Sequence, residues 1–337
     1  MRELRLAPYS ENSWRELAKA LPGATLYHTD HWIQLLTRAY ALPIWLATLD
    51  EGDRTVAAGV FGRAPLSGRF ISLPFSDTCP PLAQGPQAAQ HLLQVLVAQS
   101  PLPRSYEIRG IAGNPPWETV ECFVSWTLDL QRPLVEIEKT FAVNFRRNLR
   151  RASQLPIKIE RGSDVSLLRR FYAMQLASRR RLGLPPQPWH FFELAREIFV
   201  KERKFEVWIA KDNCNDAASA VFLHDGDIVY YKWAARQPNF PSVANHLLLW
   251  SAIEEFAPHA RVLDLGRTDI RNQGLMRFKR ELGAGATPLP STFYPKAPKH
   301  VSPELLNGGF AMAARVWRRL PIFATKLGGR ILYRFLA

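Results

Sequence analysis

Residues 239–283 read NFPSVANHLLLWSAIEEFAPHARVLDLGRTDIRNQGLMRFKRELG, and this stretch decides the fold. Its apolar residues recur at helical spacing over 242–257, and a strand is expected over 261–266. A helix near 271–281 and a strand near 288–294 should follow. Working back, strands are expected at 205–211, 217–224 and 227–235, behind helices at 136–152, 163–182 and 189–202 and a strand at 156–161. The first 130 residues repeat this order. Helices at 13–20 (with a capping box from Ser13 to Glu16) and 30–40 precede strands at 43–49, 55–62 and 69–75. A helix at 86–99 and strands at 104–110 and 123–130 complete the half. Helices, then antiparallel strands, then a helix and more strands in each half indicate a duplicated α/β (α+β) unit rather than an alternating Rossmann array. The expected division is 1–132, 133–298 and a tail, 299–337.

The 337 residues carry 44 Lys and Arg against 30 Asp and Glu, a net +14, with 47% hydrophobic residues. This composition excludes a disordered tail protein, a fibrous repeat and a small disulfide scaffold. The charge is concentrated. Residues 142–181 hold eleven cations against Glu160 and Asp164, a net +9, and 296–337 hold eight against Glu304, a net +7. The rest sums to −2. Two basic patches on a near-neutral body point to an anionic partner.

Cys79, Cys122 and Cys214 are far apart, without a CxxC pair, so no disulfide framework or structural zinc is expected. The eight histidines form no metal-binding spacing, and no P-loop, GxSxG elbow or GxGxxG follows a strand. Nor does a helix-turn-helix pattern stand out. The N-terminus lacks the apolar core of a secretory signal, and no run of 18 apolar residues exists. A cytoplasmic location is the expectation.

Five pieces carry a family resemblance. HTDHWIQLLTRAY (28–40), FISLPFSDTCPPL (70–82), FRRNLRRA (145–152), SRRRLGLPPQPWHFFELA (178–195) and the opening stretch occur in that order. Together they resemble the Fem (FemABX-like) aminoacyl and peptidyl transferases, and more closely their acetyltransferase relatives from exopolysaccharide clusters, similar to BioF-type domains. The resemblance spans roughly residues 24–295. It implies two tandem GNAT-like domains with a cleft between them. It also implies amide formation, in which an amine attacks an activated acyl ester or thioester. Such chemistry needs a deprotonated amine, a stabilised oxyanion and a leaving group.

Within that frame Lys279, beside Phe278 on a helix near the LDLGR strand end, is the expected catalytic cation. It would stabilise the oxyanion or anchor a phosphate, as the matching lysine is thought to do in Fem proteins; the alternative is a solvated surface lysine. Lys279→Met is expected to abolish transfer and leave the fold intact. Asp77, Arg109, Tyr231, Asn245 and Arg267 are the expected substrate-binding residues, although Arg109 could instead form a domain-interface ion pair with Glu107 and Arg267 a salt bridge within the sheet. Arg146, Arg147, Arg150 and Arg151 share a helix face by i, i+4 spacing and are the expected phosphate-binding set. No metal and no resident cofactor are expected. The loop RQPNFPSVANH (236–246) has no glycine from Arg236 to Ser242, and its prolines lack N–H donors, which disfavours a pyrophosphate cradle. The donor is then aminoacyl-tRNA or an acyl-carrier protein, with acyl-CoA less favoured. The acceptor would be an amine-bearing glycan or peptidoglycan-type precursor. A non-catalytic scaffold binding tRNA or a lipid-linked glycan is the alternative.

Residues 302–337 place Arg315, Arg319, Lys326, Arg330 and Arg334 on one helical face, and Val316, Trp317, Leu320, Phe323, Leu327 and Ile331 on the other. Pro321 and Gly328-Gly329 are expected to break the helix. This pattern suits an interfacial helix on an anionic membrane, at its inner face; the alternative is packing on the body or on a second chain.

Overall fold

The computed structural model describes residues 2–98, 105–213, 215–237, 240, 243–298 and 309–335. Cys214, four positions of the 236–242 loop and residues 299–308 of the tail lie outside them. The chain divides into two compact units. The first is Met1–Phe123 with Pro288–Pro303 and Arg334–Ala337; the second is Val124–Thr287 with Glu304–Tyr333.

The first unit runs β1 (Arg2–Pro8), α1 (Glu11–Ala20), α2 (Asp30–Tyr40), β2 (Ile44–Glu51), β3 (Arg54–Arg63), β4 (Phe70–Ile71), β5 (Leu82–Ala83), α3 (Pro86–Ala98) and β6 (Tyr106–Arg109). Its strands pair in the order β1-β2-β3-β4-β6, with β5 beside β3. Leu49, Phe61, Leu92, Leu93 and Ile108 are fully buried in its core. Three expectations change here. β1 is an additional strand, paired to β2 with Leu4 opposite Leu49. α1 starts at Glu11 behind Ser10, and Ser13 donates to the Ser10 hydroxyl instead of forming a capping box with Glu16. The strand expected at 69–75 is two residues long. Pro74 has no N–H to give a ladder, and Leu73 (φ 48°) and Phe75 (φ 67°) turn the chain into a loop.

β7 (Glu118–Asp129) leads into the second unit, which continues α4 (Leu134–Thr140), α5 (Val143–Ser153), β8 (Ile157–Gly162), α6 (Val165–Leu182), α7 (Trp189–Val200), β9 (Phe205–Asp212), β10 (Asn215–Asp225), β11 (Ile228–Arg236), α8 (Val243–Phe256), β12 (Val262–Asp269) and α9 (Gln273–Glu281). β13 (Gly285–Tyr294) returns to the first unit, where Ser291–Tyr294 pairs antiparallel with β6. α10 (Gly309–Arg319) and α11 (Ile322–Leu332) belong to the second.

The second unit's strands pair as β7-β12-β11-β10-β9-β8. β8 to β11 are antiparallel, whereas β11 and β12 are parallel and joined through α8, with Tyr230 opposite Asp264. That crossover brings the C-terminal ends of two strands beside a helix start, a usual place for a ligand. α5 and α8 cover the core of Phe145, Leu248, Leu249, Phe256 and Leu263. The helix expected over 136–152 is two helices. Phe141 is extended, its ring packs on Phe145 and Trp250, and Ala142 N donates to Glu281 O at 2.9 Å instead of continuing α4. α6 starts on Asp164, whose carboxylate accepts from Ser166 N and Leu167 N, and ends on Gly183 at φ 78°.

Candidate functional site

Lys279 lies on α9 with its side chain 4% exposed. Its ammonium donates to Gly266 O (2.9 Å), Thr268 Oγ1 (2.8 Å) and, at 3.4 Å, Arg267 O. It is therefore not the solvated lysine of the alternative reading. Nor is its ammonium presented to solvent: its N–H groups close the end of β12. Gly266 takes φ +72°, and its N–H turns to Asp264 Oδ1 at 2.6 Å. α9 is seated by Asn272, which accepts from Leu275 N, and by Gly283 (φ +81°) at its end. A Cβ on Gly283 would lie 2.2 Å from Thr140 Oγ1, so only glycine fits.

On the adjacent parallel strand, Tyr231 donates to Asn245 Oδ1 at 3.1 Å, which joins two of the expected residues across β11 and the first turn of α8. Burial pushes the Tyr231 hydroxyl well above its ordinary value, so it is a donor and not a base at neutral pH. Arg267 is half-buried on β12. α5 is held to α8 and α9 by tilted packing of the Phe145 ring on His246 (4.5 Å) and Phe278 (6.0 Å), and by Asn148 with His246 at 3.3 Å. Its opposite side carries Arg146, Arg147, Arg150 and Arg151, which with Val143 and Gln154 line an open depression of about 550 Å³. Among the described residues none of these four side chains makes a hydrogen bond or ion pair, although Arg170 on α6 is bound by Glu160 and Asp216.

Asp77 and Arg109 belong to the first unit. Arg109 is buried on β6, paired with Glu107 (2.7 Å) on the same strand, and donates to Ser76 O at 3.1 Å. Tyr27 donates to Asp77 Oδ2 at 2.6 Å, and Trp32 Nε1 to Ser76 Oγ at 2.8 Å. The 72–77 loop, with two residues at positive φ, is thus anchored by side chains from α2, β6 and the turn before α2. Tyr27, Trp32, Ser72, Ser76 and Thr268 were not among the residues picked from the sequence. Each acts across at least eleven residues of chain, and no local pattern marks them. Cys79 is 1% exposed and burial pushes its thiol up, so it stays protonated. No group of three or more His, Cys, Asp or Glu suited to a metal occurs among the described residues.

The crossover β11-α8-β12 and all but the last residue of α9 fall within a segment similar to a known domain. Residues 139–280 match the acetyltransferase (GNAT) domain. No curated protein sequence matches the chain. Among solved structures, FemX is similar at 12% identity and TM-score 0.62, over 85% of this chain and 96% of that one. The C-terminal domain of a putative lysylphosphatidylglycerol synthetase from Agrobacterium fabrum is similar at 12% identity and TM-score 0.56, over 91% and 95%. A tandem GNAT protein from the clavulanic acid biosynthesis pathway is similar at 11% identity and TM-score 0.54, over 86% and 98%. At these identities the likeness is one of fold. The chain has a GNAT-type domain in its second unit and the mixed α/β fold of tandem GNAT proteins. Among the described residues no helix is long and apolar enough to cross a membrane.

Proposed function

We propose that the protein is an N-acyl or aminoacyl transferase that forms an amide on an amino group of a cell-envelope or exopolysaccharide precursor. The GNAT-type domain over 139–280 carries this reading. The amine attacks the acyl carbonyl, the tetrahedral oxyanion collapses, and the ester or thioester leaving group departs with a proton. Lys279 supplies a fixed positive charge at the end of β12, and Tyr231, which donates to Asn245 Oδ1, fixes the Asn245 side chain within the same unit. Asp77 and Arg267 are assigned to substrate binding, and Arg109 to holding the 72–77 loop through Ser76 O. The α5 arginines suit a donor that carries phosphates, a property that aminoacyl-tRNA and acyl-CoA share, and the glycine-free sequence from Arg236 to Ser242 supports aminoacyl-tRNA over acyl-CoA. The reaction is placed at the inner face of the membrane, where a lipid-linked acceptor is reached.

The test is to supply aminoacyl-tRNA, acyl-carrier protein or acetyl-CoA with amino-sugar acceptors and to follow amide product and discharged donor. Discharge that depends on acceptor supports the transferase. Arg146→Glu with Arg150→Glu should weaken donor binding and flatten its salt dependence. The saturation of the Lys279 ammonium by three oxygens favours one alternative, a scaffold that binds tRNA or a lipid-linked glycan without discharging a donor.

A further inference from the structure

α10 and α11 each use one side to dock on the second unit. Ala314 sits on Gly183, where an added Cβ would lie 2.7 Å from the alanine's own Cβ. Arg180 donates to Leu320 O. Thr325 is fully buried. Gly329 lies on Pro186 so closely that a Cβ would come within 2.4 Å of the Pro186 carbonyl oxygen, and a Cβ on Gly328 would lie 2.6 Å from the Trp317 ring. The expected break at Pro321 is present, whereas Gly328-Gly329 continue α11, because their missing side chains are what lets the helix approach. Trp317, expected on the apolar outer face, is turned inward with its indole nitrogen buried.

The side facing away from the body is apolar and basic at once. Met312 is 71% exposed, Phe323 74%, Leu327 58% and Ile331 57%, with Val316 between them. These residues recur at i, i+4 on each helix and form a strip opposite the docked side. Along its flank run Arg315, Arg319, Lys326 and Arg330, with Arg318 further round. None of the five makes an ion pair among the described residues, and residues 309–335 contain no acidic side chain. Packing accounts for the inner face and leaves the outer strip unexplained.

We propose that this outer face docks on an anionic lipid bilayer, with Phe323, Leu327, Ile331, Val316 and Met312 entering the headgroup–acyl boundary and the flanking cations meeting lipid phosphates. Charge complementarity selects this occupant: a second copy of the chain would bring five more unpaired cations against the first five, whereas an anionic leaflet neutralises them. Because α10 and α11 dock on α6 and the loop after it, the second unit would be held on the surface by an ordered pair of helices. The inference deepens the inner-face placement proposed above and does not depend on the chemistry.

The experiment is sedimentation of the full chain with vesicles of phosphatidylglycerol and phosphatidylcholine, and with phosphatidylcholine alone. The wild type should partition at least tenfold more strongly onto the anionic vesicles. Phe323→Ser, Leu327→Ser and Ile331→Ser together should weaken that partition more than tenfold without changing the melting curve, since these side chains are exposed. Arg315→Glu with Lys326→Glu should weaken it on anionic vesicles only, by about fivefold or more for each cation. Failure of the wild type to sediment with either vesicle overturns the membrane placement itself. Sedimentation of the serine variant equal to wild type overturns this face while the placement stands. A wild-type dimer that the serine variant converts to a monomer, with vesicle binding unchanged, assigns the face to a second chain instead.

Discussion

Replacing Lys279 by Met tests whether the lysine is a structural clamp as well as a source of charge. The sequence suggested that Lys279→Met would leave the fold intact. The geometry indicates otherwise. The substitution strands Gly266 O and Thr268 Oγ1, at 2.9 and 2.8 Å from the ammonium, and Thr268 is 2% exposed. A buried acceptor left without a donor costs about 1–3 kcal/mol. Two of them give about 2–6 kcal/mol, partly offset because the methionine no longer carries a desolvated charge. A net loss of about 2–3 kcal/mol is expected. For a unit of this size that corresponds to about 5–10 °C in melting temperature. Thermal unfolding of the full chain reads the shift, and amide hydrogen exchange should localise faster opening to peptides of β12 and α9. Lys279→Gln retains an N–H donor toward Thr268 and should recover about half of the stability. If the charge also serves transfer, the Gln variant will be more stable than the Met variant but equally inactive. A Met variant that melts within 1 °C of wild type, with unchanged exchange in β12, would refute the clamp.

Three further substitutions probe other parts of the chain. His28 is buried with Nε2 2.8 Å from Pro80 O, and burial lowers its pKa to about 4. Its folded value is below the unfolded 6.5, so the unfolded state binds the proton first, and stability rises with pH between about 4 and 6.5, by up to about 3 kcal/mol. Stability-versus-pH curves should lose that slope in His28→Gln; equal slopes in the two proteins would contradict it. Asp164→Ala removes the α6 cap and should cost about 1 kcal/mol in a urea titration. Gly329→Ala should release α11 from Pro186, seen as new protease cleavage within 320–332 while α5 to α9 stay protected; an unchanged digestion pattern counts against the close approach.

The fold was legible where periodicity is local and long. The α6, α8 and β9–β12 expectations lie within a few residues of the observed elements, because amphipathic helices and alternating strands print their period in the chain. What escaped was decided at a distance. The break between α4 and α5 depends on Phe141 packing against Trp250, over a hundred residues later. The 69–75 segment looked like a strand because Phe70, Ile71, Leu73 and Phe75 are apolar, yet positive φ at two of them bends the chain into a loop that Trp32 and Arg109 hold. The environment of Lys279 was half legible. Its helix and neighbouring strand end could be read, but the closure of its ammonium on Gly266 O and Thr268 Oγ1, eleven or more residues back, could not.

The sorting of charge separates structural from functional cations. Elsewhere the chain neutralises helical cations at i, i+4, as in Glu11 with Arg15 and Arg277 with Glu281. On α6, Arg170 is bound by two carboxylates, and Arg179 and Arg180 donate to backbone carbonyls. The opposite choice is made in only a few places. α5 sets Arg146 against Arg150 and Arg147 against Arg151, α10 sets Arg315 against Arg319, and α11 sets Lys326 against Arg330. Each like-charge pair costs a helix about 0.2–0.5 kcal/mol, and one glutamate would reverse the sign. The α5 set lines an open depression, and the α10–α11 set flanks an exposed apolar strip. Under the two proposals above, the first arrangement would be neutralised by the phosphates of the donor and the second by a lipid surface. On these proposals the two basic patches should respond differently. Charge reversal on α5 should weaken donor binding without affecting vesicle sedimentation, and reversal on α10–α11 should do the opposite.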